Sequence, residues 1–140
     1  MIFVVECKPD FVLVRSLVYR QKIVHAGNKS RVLRRLTRNY ENSIGLIDQD
    51  PGRHQPPDLR RFREICSDNS SKLKVLYFGR LRNFLVVICP NMEEWIIEAS
   101  NEAKVNITEY NLSNDPTELH RRINLNLDKF QRLLNKLKQT

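Results

Sequence analysis

Cysteine is scarce in this chain and poorly spaced for metal work. Cys7, Cys66 and Cys89 are odd in number and far apart, and none forms a CxxC pair, which excludes a zinc knuckle. Isolated thiols of this kind fit a reducing compartment, so a cytoplasmic location is expected. Cys7 and Cys89 read as small apolar fillers in or beside strands. Glycine and proline are also few, 4 and 6 of 140 residues, and no repeat or low-complexity tract interrupts the chain. No apolar run approaches the roughly 20 residues of a membrane helix. The first one stops at Glu6, too early for a signal peptide. An aromatic stripe suited to base stacking is absent, as is a recognition-helix motif, so sequence-specific readout of nucleic acid is not expected.

What remains is an ordinary globular composition, 41% hydrophobic, carrying a formal charge of +8. A chain of this length is expected to form one domain with a proper core. The positive balance favours polyanionic partners. It is also uneven: between Phe11 and Tyr40 stand eight Arg or Lys residues and no acid.

Hydrophobic patterning predicts a regular order of elements. Residues 2–6 are a β-branched and aromatic run, as in a strand buried on both faces. Pro9 suits the first turn of a helix whose apolar face carries Phe11, Leu13, Val14, Leu17 and Val18. A second strand is predicted over 22–26, a helix over 30–40 with Val32, Leu33 and Leu36 inward, and a third strand over 43–47. Strand, helix, strand, helix, strand in about fifty residues is the pattern of a parallel α/β unit. Beyond a Pro-rich loop at 51–57, a short helix is expected to run to Ile65. A loop at 67–71 and an antiparallel hairpin of 72–78 with 83–89 follow. Residues 91–99 read as a helix bearing Trp95. One terminal helix is predicted, capped by Asp115, Pro116 and Glu118, with Ile123, Leu127, Phe130, Leu134 and Leu137 on one seam.

Acids gather at predicted strand ends. Glu6 closes the first strand and Asp10 follows in the first helical turn; Asp48 closes the third strand and Asp50 is two residues on. Ligands of parallel sheets collect beyond the carboxyl ends of the strands. Carboxylates there are suited to a hard cation such as Mg²⁺, together with water and phosphate oxygens. Taken singly, the same residues are also ordinary turn formers and helix caps. Arg31, Arg34, Arg35 and Arg38 recur at three- and four-residue spacing on one helix face, where like charges repel and a phosphate backbone would relieve them. Lys29 stands at the start of that helix, a favoured place for phosphate. Arg53 and His54 directly follow the acid pair. His25 reads as a structural residue at a strand end or a proton shuttle.

Glu6-Cys7-Lys8-Pro9-Asp10 resembles the E-G-x-x-D motif of Toprim domains, and Asp48-Gln49-Asp50 resembles their DxD. Cys89-Pro90-Asn91-Met92-Glu93-Glu94-Trp95 is similar to the N-P-x-F-E-x-W stretch of RloB-like Toprim proteins of bacterial defence. Two positions depart from these patterns: Cys7 replaces Gly and Met92 replaces Phe. The resemblance implies a Rossmann-like, mainly parallel sheet with flanking helices over residues 1–112, and a C-terminal amphipathic helix over 113–140 packed on the domain or on a partner. It implies Glu6 as general acid/base, Asp48 and Asp50 as metal ligands and catalytic residues, and Asp10 and Glu93 as accessory acids. The expected cofactor is Mg²⁺ or Mn²⁺. Lys29, Arg31, Arg34, Arg35, Arg38, Arg53 and His54 would contact DNA or RNA.

Topoisomerase and primase activities need further domains, which leaves metal-assisted phosphodiester hydrolysis. Two alternatives stand beside it: an inactive nucleic-acid-binding module, or a subunit docked on an ABC-type ATPase. A homodimer through the terminal helix is a further expectation, and no membrane partner is expected.

Overall fold

Six strands pair into one mixed sheet in the order β2-β1-β3-β6-β5-β4 in a computed structural model that describes all 140 residues. The strands are β1 (Ile2–Val5), β2 (Lys22–His25), β3 (Ile44–Asp48), β4 (Arg63–Asp68), β5 (Leu73–Phe78) and β6 (Asn83–Ile88). The helices are α1 (Lys8–Leu17), α2 (Lys29–Arg38), α3 (Met92–Glu102), α4 (Pro116–Leu125) and α5 (Leu127–Lys138). Strands β2, β1, β3 and β6 run parallel, and the β6-β5-β4 half is antiparallel. No helix is long and apolar enough to cross a membrane.

Alternation along the strands sends side chains to two cores. Ile47 joins Val32, Leu33, Leu36 and Leu85 under α2. On the other face, Leu13 of α1 packs with Ile88, Met92, Ile96, Leu119, Ile123 and Phe130. The chain therefore leaves β1 across one face and reaches β3 across the opposite one. The reversal makes the gap between the carboxyl ends of β1 and β3 a topological switch point.

Two local devices hold α2 to the sheet. Gly45 leaves room for it: a Cβ there would collide with Leu36 Cδ1 and sit 3.1 Å from Val32 and 3.2 Å from Leu85. Asn83, fully buried, donates from Nδ2 to the carbonyls of Leu36 (2.6 Å) and Tyr40 (2.8 Å) and accepts from the Ser43 amide (2.7 Å). One side chain thus satisfies the end of α2 and the start of β3, and no lone polar atom is left in the core.

Two segments differ from the sequence reading. The helix expected to run to Ile65 is a 3-10 turn over Pro57–Arg61, and β4 follows where helix and loop were predicted. Strand β4 lies at the sheet edge with every residue exposed, so it carries no apolar alternation and stands on backbone pairing with β5. The single terminal helix is two helices. In a continuous helix the Asn126 amide would bond the Arg122 carbonyl; it turns to Ile123 instead, and the Asn126 side chain takes over Arg122 at 3.1 Å. A side-chain amide thus takes the carbonyl that the backbone amide leaves. Both helices reach the core through Leu119, Ile123, Phe130, Leu133 and Leu134.

Candidate metal centre

Parallel pairing sets Val5 beside Leu46, so Glu6, one residue past the end of β1, lies alongside the last residues of β3, Ile47 and Asp48. Glu6 and Asp48 both line a cavity of about 520 Å³ at the switch point. Asp10, Asp50 and Glu93 line it too, as do Cys7, Asn28, Arg53, Asn91, Thr117 and His120. The five acids named from the sequence are therefore brought to one place.

Each acid is held by its own element. Cys7 begins α1 in extended geometry, and its thiol donates to Asp10 Oδ2 at 3.3 Å. Asp10 is buried beneath the first turn. Asn91 caps α3 by accepting from the Glu94 amide at 2.9 Å. The Met92 amide, at the first position of α3 and without an intrahelical acceptor, donates to Asp48 Oδ1 at 3.0 Å. Beyond β3, the Gln49 amide still follows β6, but Asp50 turns to a left-handed φ of 49°. Extended geometry stops there, and the Asp50 carboxylate pairs with Lys29 Nζ at 3.2 Å.

Burial among like charges makes these carboxyls hold their protons. The Asp48 carboxyl is pushed up to about 8, first by burial and then by Asp10, Glu93, Asp50 and Glu6. Glu6 is raised to about 7 by burial and by Asp10, against the pull of Lys29 and the Asp48 amide. Asp10 rises to about 6 through burial, with the Cys7 hydrogen bond opposing. Burial and Asp10 push the Cys7 thiol up to about 12, so it remains a protonated donor near neutral pH. The part of this rise that comes from carboxylates facing one another would be relieved by any cation.

The donor set suits a hard cation: every candidate ligand is a carboxylate oxygen. No three of the acids converge into a closed cage. Mg²⁺ takes one or two direct carboxylates and keeps several waters, which the cavity has volume to accept.

The basic residues divide. Arg53 lines the cavity, and Arg31 Nη1 lies 3.1 Å from where a Cβ on Gly27 would stand, at the cavity's edge. Gly27 takes φ +104°, open to glycine alone without strain. Arg34, Arg38 and His54 are exposed outside the cavity lining. Arg38 lies seven residues along α2 from Arg31, about 10 Å at helical rise. Arg35 is half-buried and donates to the Tyr40 hydroxyl at 3.1 Å, so it does not share the open face expected of it. Lys29 is engaged with Asp50, Gln49 and Gln55 rather than presented for phosphate. His25 meets the Phe11 ring edge-on with centroids 4.8 Å apart, away from the cavity.

His120 was missing from the sequence reading. From α4 it brings Nδ1 to 2.6 Å from Glu93 Oε1, across 27 residues of sequence. Nothing local in His120-Arg121-Arg122 signals that placement; Asn28 and Asn91, also on the cavity wall, cap α2 and α3. Comparisons of the chain with protein-family models, with curated proteins and with solved structures return no match.

Proposed function

We propose that the protein is a Toprim-like, divalent-metal-dependent nuclease that hydrolyses phosphodiester bonds of DNA or RNA in the cytoplasm. The observation that carries this reading is the meeting of Glu6 and Asp48, from neighbouring parallel strands, in one acid-lined cavity on a basic protein. Glu6 and Asp48 would hold Mg²⁺ or Mn²⁺, with Asp10 and Glu93 adding negative charge behind them. When bound, the ion supplies charge neutralisation at the phosphoryl group and lowers the pKa of a coordinated water.

The chain's own groups divide the remaining work. Glu6 is suited to take and return a proton through the carboxylate oxygen that it would not give to the ion. The Met92 amide fixes the Asp48 carboxylate, and the Cys7 thiol fixes Asp10. Arg53 at the rim and Arg31 at the edge supply positive charge for a phosphate backbone. Their contacts are to phosphate, which agrees with the absence of any base-reading motif.

The test is cleavage of single-stranded DNA, double-stranded DNA and tRNA with Mg²⁺ or Mn²⁺, with Glu6→Gln as control. Metal-dependent cleavage lost in that variant while nucleic-acid binding persists is the expected result. Binding without cleavage by the native chain would reject the nuclease and leave a binding module.

A further inference from the structure

We infer that the Lys29 ammonium is a built-in counter-cation for the Asp50 side of the acid cavity, so that the site takes a single divalent ion, on the Glu6–Asp48 side. The inference rests on the metal-site reading above and narrows it: Asp50, the second acid of the DxD, does not ligate the ion.

The bonding of Lys29 carries the argument. An ammonium has three N–H donors and no more. Lys29 Nζ faces three acceptors: Asp50 Oδ2 at 3.2 Å, Gln55 Oε1 at 3.2 Å and the Gln49 carbonyl at 3.4 Å. Its side chain is 12% exposed. No donor is left over for a phosphate, and displacing the ammonium would take the donor from Asp50 Oδ2 and Gln55 Oε1. Gln55 is itself fixed, donating from Nε2 to the carbonyls of Gln49 and Asp50 at 3.1 Å each. The loop after β3 is thereby folded around the cation.

Helix chemistry gives Lys29 no reason of its own. It is the first residue of α2, where the helix dipole disfavours positive charge, and α2 has no acid in its first turn. A cation so placed is compensated by Asp50 across the loop. The left-handed turn at Asp50 serves the same contact, carrying the carboxylate out of line with Asp48 and onto Lys29. With Asp50 neutralised from within the chain, a second divalent ion beside it would meet the ammonium's repulsion.

Mn²⁺ titration of the full, chelator-stripped chain tests this, read by calorimetry and by the loss of free-ion paramagnetic resonance signal. The native chain is expected to bind one ion. Asp48→Asn should weaken binding by more than about tenfold. The charge-balanced double variant Lys29→Met with Asp50→Asn should still bind one ion, within about threefold of native affinity. Lys29→Met alone should expose Asp50 and either admit a second ion or tighten the first. Two ions on the native chain, or a double variant as impaired as Asp48→Asn, would overturn the inference and leave the metal site standing. A native chain that binds no Mn²⁺ would overturn both. Thermal melts of each variant separate lost binding from lost folding.

Discussion

The Met92 amide donates to Asp48 Oδ1 at 3.0 Å, so the first turn of α3 holds the acid at the end of β3. An acid raised to about 8 is thus fixed in position while most strained by its neighbours. Asp48→Asn keeps the accepting oxygen and removes the charge. In metal-free buffer at pH 8.5, that variant should be more stable than the native chain by about 1–2 kcal/mol. It should also lose most of the stabilisation that Mg²⁺ confers. Urea melts with and without Mg²⁺ check both; a variant less stable than native without metal would refute the prediction.

Glu6, Asp10 and Asp48 bind protons more tightly in the folded chain than in the unfolded one, where carboxyls titrate near 4. Their contribution to stability is therefore complete below that range and is lost as pH rises through about 6, 7 and 8. The loss should be on the order of 3 kcal/mol for the cluster as a whole. A divalent ion replaces the protons, so millimolar Mg²⁺ should raise the melting temperature at pH 8.5 and barely move it at pH 5. Equal shifts at the two pH values would contradict the coupling.

His120 touches Glu93 from a helix that contributes no acid to the cavity. His120→Ala releases Glu93, an acid behind the ion, and should weaken Mg²⁺ binding by less than about tenfold. Gln at the same position, which can still donate to Glu93, should recover part of it. Because the His120 side chain is 65% exposed, neither change should alter the melting temperature by more than about 2 °C. A large melting shift would make the contact structural instead.

Gly45→Ala probes the approach of α2 to the sheet. Its Cβ meets Leu36, Val32 and Leu85 on a face with no slack. The expected loss is about 1–3 kcal/mol, from overpacking. On the other face, Phe130→Ala should cost about 3–5 kcal/mol, since Phe130 is fully buried in the core that α4 and α5 share with α1 and α3. Urea denaturation measures both, and values below about 0.5 kcal/mol would mean that either site relaxes freely.

The order β1-α1-β2-α2-β3 was legible because each element carries its own period, and Pro9 marks the start of α1. Glu6, Asp10, Asp48 and Asp50 were legible because strand ends are. Strand β4 was not: Arg63, Glu64, Ser67 and Asp68 have no buried face to pattern, and only pairing with β5 makes them a strand. The seam from Ile123 to Leu137 keeps helical spacing across Asn126, so its periodicity hides the break. The partners of Lys29, Arg35 and His120 depend on loops and long-range packing. Spacing in the sequence placed these residues on helices and did not say what they face.

Four of the five acids of the cavity lie within the first fifty residues, while Pro116, Thr117 and His120 close its wall from α4. That helix stays in place because α5 backs it in the core. During synthesis on a ribosome, the carboxylates therefore emerge long before the wall that bounds them. A nascent chain has the charges without the chamber, and the cavity is complete only when the last two helices dock.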